Sequence, residues 1–585
     1  MHKPETVWNL ITKNPCAAFI ATLLVVAQAL FNVTEVMILE HFIDNFSNFQ
    51  WMQSVFFAMI ISAIYAFYYI QTPLLGYLNN KICLQLRAHL EHAVIEKTAR
   101  IPAAALEDMD NQALLARLRD EPEKRYANGF FSVLQILGGI AGTVGVLTLI
   151  MNNVPFFLLI ILLLLCLMAA VFRLIGKSKV TMYQTRQEIC RRGDYLSDLL
   201  FERRLSQEKK LFGYTPYIQK LYEEETIQSG RQLIGSIFLS NMIIWAYDNI
   251  TFLFSASAYL LFLIPLYRGE IDIGLYISII PALTRLGVFF VEVGSNYWPT
   301  YQEYLACLTD MEKLNDLPEQ YYVHEEESSI TPDFHVIKGE NIVFHYPGQK
   351  KPVLDGLNFT FHAGKNYALV GENGCGKTTL IKLLMGFYQP DSGIITIDGV
   401  NIQEMEFAKL QRYFSAVFQD FNRYDYTIKE NILISSLGKK EQSEKMKQAA
   451  KEAELDTWIL SCPDTYDTKL GNLEDGGIDL SGGQWQRLSI ARMLYRKAGI
   501  YIWDEPTAAM DPLAESRLYS DFLQKRSEQC ANIFVTHRLG AAVNADEICV
   551  MENGRFVEQG KHTQLMQKTD GLYHRMFDAQ KGMYE

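Results

Sequence analysis

Between Gly371 and Thr378 the chain reads GENGCGKT, a match to the phosphate-loop pattern G-x-x-x-x-G-K-[ST]. Gly371, Gly374 and Gly376 let the backbone wrap closely around phosphate oxygens, and Glu372, Asn373 and Cys375 add inward-pointing N–H groups. The helix that follows presents its unpaired N–H groups to negative charge. Lys377 reaches the β- and γ-phosphates of a nucleoside triphosphate, the Thr378 hydroxyl ligates Mg²⁺, and Thr379 stands beside it. Downstream, Asp504 and Glu505 close the apolar run IleTyrIleTrp at 500–503. Adjacent carboxylates divide the work of hydrolysis: Asp504 holds Mg²⁺, directly or through water, and Glu505 orients or deprotonates the attacking water. His537 ends another apolar run, IlePheValThr at 533–536, at the strand end where ligands of parallel sheets gather. The chemistry this set can do is hydrolysis of a bound triphosphate. Cys375 is expected to be a reactive thiol, because a helix N-terminus, Lys377 and the loop N–H groups all favour its thiolate.

These residues need a scaffold of strands and helices, and the flanking sequence supplies one. AlaLeuVal at 368–370 is a strand running into the glycine loop, and LeuIleLysLeuLeuMet at 380–385 is the helix leaving it. AsnIleValPheHisTyrPro puts Tyr346 at a strand end, IleIleThrIleAspGly at 394–399 reads as a hairpin strand, and AlaValPhe at 416–418 precedes Gln419. A helix-rich insert is expected over 428–460, and LeuSerGlyGlyGln at 480–484 leads an amphipathic helix. The reading is an α/β domain over 331–585, joined through a linker at 318–330 that contains Pro318 and the acidic run Glu325–Glu327.

Residues 1–317 differ in kind. Six apolar segments, at 15–39, 54–76, 129–151, 153–175, 235–266 and 272–297, each approach or exceed the ~20 residues a spanning helix needs. The connections after the second and fourth segments are rich in Lys and Arg, whereas Arg268 is the only basic residue in the three short loops. By the positive-inside rule the long connections, both termini and the α/β domain are cytoplasmic. Each long connection reads as a pair of helical arms, about 25 residues at 1.5 Å rise and so roughly 35 Å long. Their turns, near Asp108–Leu118 and Leu211–Tyr217, are the expected docking points for the soluble domain. Gly138, Gly142 and Gly145 imply close helix packing. Asp248, Arg285 and Glu292 lie within spans, where charge is costly, and form either a structural Asp248–Arg285 pair or contacts to cargo. The net charge of −12 is spread along the chain and argues against a nucleic-acid partner. The nine cysteines sit singly, which fits free thiols rather than a disulfide framework or zinc site.

With these residues in hand, the chain resembles an ATP-binding cassette (ABC) half-transporter of the exporter type along nearly its full length. The resemblance implies six transmembrane helices with long cytoplasmic extensions, the type IV exporter arrangement, fused to an α/β P-loop nucleotide-binding domain that uses ATP and Mg²⁺. It further implies that Tyr346 stacks on adenine, that Gln419 links Mg²⁺ and the attacking water to the membrane helices, and that His537 contacts the γ-phosphate. Ser481, Gly482, Gly483 and Gln484 would bind the γ-phosphate held by an opposite subunit, with Asp511 across the dimer seam. The partner is therefore a second half-transporter; no motif is degenerate, which favours a homodimer over a heterodimer. The chain departs from the usual exporter pattern at Trp485, Trp503, the AlaAlaMetAsp run ending at Asp511, and the long turn at 471–479. That turn and the LSGGQWQ run look like bacterial exporters of lantibiotics and other small modified peptides. No cysteine-peptidase domain precedes the first span, so leader removal is expected elsewhere. The implied function is ATP-driven efflux of a small peptide across the bacterial cytoplasmic membrane by alternating access. A multidrug or lipid exporter, or a non-transporting membrane ATPase that regulates a partner, are the rival readings.

Overall fold

The computed structural model describes residues 15–153, 192–202, 205–320, 333–436, 443–472, 476–505 and 530–581. The chain divides into two compact units, Met1–Thr98 with Ala113–Leu317 and Ala99–Gln112 with Pro318–Glu585.

In the first unit long apolar runs fold as helices, because only a helix satisfies its own backbone where water is excluded. The helices used below are α1 (Pro15–Ser47), α2 (Trp51–Arg100), α3 (Ala103–Leu106), α4 (Met109–Arg119), α5 (Pro122–Asn153), α6 (Ser206–Phe212), α7 (Thr215–Tyr267), α8 (Ile273–Glu292) and α9 (Trp298–Asp316). A π-turn at Val293–Tyr297 joins α8 to α9. Among the described residues four helices are long and apolar enough to cross a membrane: Pro15–Ser47, Trp51–Arg100, Pro122–Leu149 and Ile273–Asp316. The apolar segment at 235–266 forms the C-terminal part of α7, and the segment at 153–175 lies almost wholly outside the described residues. The glycines of α5 do bring backbones together. A Cβ at Gly138 would strike Val25 and one at Gly145 would strike Val33, both on α1, while one at Gly139 would strike Phe289 of α8. At the start of α8 the Gly274 N–H donates to Asp44 Oδ1 at 3.1 Å, so α1 supplies a partner for an orphan N–H of its neighbour.

The turn of the first arm pair comes earlier than expected. α2 ends at Arg100 because Pro102 disfavours helical geometry just before it, and α3 follows at once. Residues Ala99–Gln112 belong to the second unit, and Ala104 packs on that unit's core. Of the expected stretch Asp108–Leu118, the later residues belong instead to the helical unit, where Arg117 forms a forked ion pair with Asp310 (2.8 and 3.0 Å). The second turn falls where expected. α6 ends at Gly213 in the left-handed conformation (φ 62°), α7 begins at Thr215, and Leu211, Phe212 and Tyr217 are exposed.

The second unit is built on two sheets. One is antiparallel, in the order β2-β1-β4-β5, from β1 (Val336–Phe344), β2 (Leu354–His362), β4 (Ser392–Ile397) and β5 (Val400–Asn401). The other has the order β10-β9-β3-β8-β7-β6, from β3 (Asn366–Gly371), β6 (Phe414–Val417), β7 (Ile500–Asp504), β8 (Ala531–Val535), β9 (Glu547–Glu552) and β10 (Arg555–Gly560). It is parallel except for β10. Every residue of β3 and β8 is buried, which explains their unbroken apolar runs: a parallel strand is covered on both faces. The strands β3, β7 and β8 lie side by side and point the same way, so the glycine loop, Asp504–Glu505 and His537 all leave the same edge of the sheet.

Candidate functional site

The loop after β3 takes its shape from glycine. Gly374 and Gly376 have φ of 80° and 110°, where a Cβ is disfavoured, and Gly376 precedes the helix α10 (Lys377–Leu384). The Lys377 ammonium is buried and lies across the loop, donating to the carbonyls of Gly371 (2.8 Å) and Glu372 (2.9 Å). Cys375 faces away from solvent. It is only 8% exposed, belongs to the core cluster with Leu354 and Met551, and its Sγ sits 3.7 Å from Lys377 Nζ. This burial stands against the expected ready reaction with thiol reagents.

Across from the loop, Thr378 Oγ1 lies 3.5 Å from Asp504 Oδ1. Asp504 is almost wholly buried, and that burial, with the adjacent Glu505 charge, pushes its carboxyl up to about 6 despite the Thr378 hydroxyl and Lys377. A raised carboxyl pKa means the folded chain holds a proton that the unfolded chain releases. Stability from this source is therefore fullest at low pH and is lost as pH rises through about 6. In buffer free of nucleotide and divalent cations, the melting temperature should fall between pH 5 and 7.5. Asp504→Asn should flatten that slope and gain on the order of 2–3 kcal/mol at pH 7.5, a rise of several degrees. An unchanged slope in Asp504→Asn would reject the assignment.

Glu505 is held in the left-handed region at φ 49°, a conformation that costs a non-glycine residue about 1–3 kcal/mol and is tolerated where the surroundings fix it. Here its N–H donates to Val535 O at 3.0 Å, tying the turn after β7 to β8. Its Oε1 is 2.5 Å from His537 Nε2. The His537 carbonyl accepts from Gln580 Nε2, and Gln580 Oε1 accepts from the Leu539 N–H at 2.9 Å. Gln580 thus clasps both sides of the His537 turn. It carried no sequence signal, being one polar residue on a short C-terminal helix.

Tyr346 stands over the start of α10, its hydroxyl 3.2 Å from Thr379 Oγ1. Its ring packs edge-on against Phe344 and Tyr388, and Lys382 Nζ lies 5.6 Å from its centroid. Glu107, from the Ala99–Gln112 segment of the same unit, accepts from the Tyr388 hydroxyl and pairs with Lys382 at 3.2 Å. Burial, reinforced by the Glu107 carboxylate, raises the Tyr388 phenol well above its usual range, so it remains a donor. Sequence reading missed Glu107, Lys382 and Tyr388, which meet only in the fold.

The other candidates are dispersed. Gln419 is exposed just beyond β6, whose Val417 pairs with Trp503 of β7, so it leaves the sheet edge that carries Asp504. Ser481 caps the helix Gly482–Tyr495 in a reciprocal box with Gln484: Ser481 N–H donates to Gln484 Oε1 (2.9 Å) and Gln484 N–H to Ser481 Oγ (3.3 Å). Among the described residues no hydrogen bond joins Ser481, Gly482, Gly483 or Gln484 to the phosphate loop. The unusual Trp485 is buried in the core under that helix, and Trp503 is buried against Phe534. Asp511 lies outside the described residues.

In the helical unit Arg285 of α8 pairs with Glu35 of α1, while the side chain of Asp248 lies outside what the structure describes. Both guanidinium Nη atoms donate to the Glu35 carboxylate, Nη2 to Oε1 at 2.7 Å. Tyr68 of α2 donates to Asn32 Oδ1 (3.0 Å) and lies under the guanidinium at 5.4 Å. Glu292 accepts from Tyr297 at 3.3 Å. Glu35 gave no signal because it is a single carboxylate, between Thr34 and Val36, in an otherwise mostly apolar run.

Comparison with known proteins agrees with this architecture. Residues 354–508 match the family model described as ABC transporter. The subtilin transport ATP-binding protein SpaT of Bacillus subtilis is 30% identical over 90% of this chain and 84% of its own length. The nisin transport ATP-binding protein NisT of Lactococcus lactis is 36% identical over 51% of this chain and 50% of its own. A solved bacterial Atm1-family ABC exporter with ATP bound superposes with a TM-score of 0.78 at 22% identity, covering 97% of this chain and all of that one. A nearly full-length relative, the matched ATP-binding segment and a phosphate loop set beside Asp504 and Glu505 agree, and the chain belongs to the ABC transporter family, as a multi-pass membrane exporter that couples ATP hydrolysis to transport.

Proposed function

We propose that the chain is one half of a dimer that exports a small peptide across the bacterial cytoplasmic membrane. The observation that carries the substrate class is the extent of the likeness. The subtilin transport protein matches 90% of the chain, whereas the nisin transport protein, an iron–sulfur clusters transporter of Neurospora crassa and a lipid A-core flippase of Methylobacillus flagellatus match 51%, 54% and 47%. In this reading Tyr346 is the adenine platform, and residues Gly371 to Thr379 cradle the phosphates. Thr378, Asp504 and Gln419 would hold Mg²⁺, and the buried, proton-hungry Asp504 facing a hydroxyl is the donor chemistry a hard cation takes. The metal, when bound, offsets charge on the phosphate oxygens. Glu505 takes the proton of the attacking water. His537, 2.5 Å from Glu505 and anchored by Gln580, holds that carboxylate in position and reaches toward the γ-phosphate. Ser481–Gln484 and Asp511 act on the nucleotide of the opposite subunit. The ATPase unit and both termini are cytoplasmic.

Two measurements test this. Purified chain in inverted proteoliposomes should accumulate a lantibiotic-type peptide only with MgATP; accumulation of lipid or drug instead, or ATPase with no uptake of any of the three, would replace the reading. Second, Glu107→Ala should raise KM for ATP about fivefold, the size of one lost charge-assisted contact, with kcat within twofold. The loss acts through Tyr388, Lys382 and Tyr346 on the base and not on the phosphates. A fall in kcat alone would dismiss Glu107 as a support for adenine binding.

A further inference from the structure

Within the helical unit a cavity of about 510 Å³ opens between α1, α2, α5 and α8. That volume suits a small ligand or a short stretch of chain. Its wall carries Gln28, Asn32, Tyr68, Gln71, Gln135 and Arg285, all within segments read as membrane-spanning. Polar side chains at that depth are expensive unless they serve one another or a ligand.

The hydrogen bonds fix which way the amides face. Asn32 Oδ1 accepts from Tyr68 (3.0 Å) and from Arg285 Nη1 (3.4 Å), which leaves the Asn32 NH₂ beside Gly142 on the cavity wall. Gln71 Nε2 donates to Leu24 O (3.2 Å) and to Gln28 Oε1 (2.8 Å), which leaves the Gln28 NH₂ on the same wall. Among the described residues neither NH₂ group has a hydrogen-bond acceptor. Charge is arranged as carefully. Arg285, the cavity's cation, is spent on Glu35, a carboxylate only 5% exposed. Glu292 adds a negative charge at the cavity wall. A phosphate or carboxylate ligand would therefore meet N–H donors with no net positive charge and one acid. A neutral carbonyl oxygen meets the donors without that penalty.

We infer that this cavity binds a neutral or cationic stretch of peptide through its main-chain carbonyls, read by the Gln28 and Asn32 amide N–H groups, and that it rejects phosphorylated lipids and acidic peptides. The inference rests on the peptide-export reading and narrows it. Dispersed main-chain carbonyls are common to all peptides, so the site selects for charge and not for a particular side chain.

The test uses the full chain in nanodiscs and three fluorescent probes: a capped heptapeptide pool without acidic residues, the same pool with two aspartates, and lipid A. The neutral pool should bind at least tenfold tighter than the aspartate pool. Gln28→Met with Asn32→Leu should weaken the neutral pool by roughly 5–100-fold, the combined effect of two lost hydrogen bonds. Equal or tighter binding of the aspartate pool overturns the charge argument. Unchanged neutral-pool affinity in the double variant, at a wild-type melting temperature, overturns the site while leaving peptide export standing. Binding of lipid A alone overturns the peptide reading itself, and binding of none of the probes overturns the site. Should the double variant fail to fold, the wild-type ranking of the three probes decides.

Discussion

Glu505→Gln is expected to bind ATP normally and to hydrolyse it ~10²–10⁴-fold more slowly, the usual loss when a positioned base is removed. The carboxamide is nearly isosteric and can still accept from His537, so the 2.5 Å contact and the turn at φ 49° should survive. What disappears is the capacity to take a proton from water. ATP should then persist on the full chain and hold the two nucleotide units of the dimer together, visible as retained nucleotide. Steady-state ATPase within a factor of two of wild type would remove Glu505 from the base position.

The second large effect belongs to the membrane half. Glu35→Ala leaves the Arg285 guanidinium without its buried partner, and breaking one side of such a pair costs about 3–5 kcal/mol. The variant should melt many degrees lower in detergent, or fail to accumulate as folded protein. Glu35→Ala with Arg285→Met should recover most of that loss, because no uncompensated charge remains, and a double-mutant cycle measures the coupling. If Glu35→Ala melts like wild type, or the double variant is no better than the single, the pair is not what steadies α1 against α8.

Why some of this was legible and some not follows from where each signal resides. The phosphate loop, Asp504–Glu505 and His537 are local patterns: each is a short run whose neighbours alone dictate strand and turn, and three parallel strands bring them to one edge. The helical spans were equally plain, since a run of apolar residues needs no partner to declare itself. Arg285 was legible as costly, but its partner was not. Sequence offered Asp248 as one charged residue within a span, whereas the packing of α1 on α8 selected Glu35, 250 positions away. The surroundings of Tyr346 show the same limit, because Glu107, Lys382 and Tyr388 are unremarkable letters until the fold joins them. Cys375 erred in the other direction. The sulfur points into the core with Leu354 and Met551, and sequence does not say which way a loop residue turns. Ser481–Gln484 form a helix cap within one chain, and their expected role toward nucleotide needs a second.

The insertion of Ala99–Gln112 into the nucleotide-binding unit bears on how the protein is made. At about 5–20 residues per second this piece leaves the ribosome on the order of half a minute before Lys382 and Tyr388 exist to receive it. During that interval Glu107 and Ala104 wait without their partners while the membrane helices on either side are being inserted. The ATPase unit therefore cannot complete itself from its own continuous stretch of chain. A fragment beginning at Pro318 would lack the early-made piece and expose the surface that Ala104 covers. Supplying residues 99–112 as a separate peptide should restore what the fragment has lost. The nucleotide unit thus draws one of its pieces from the part of the chain made together with the membrane helices.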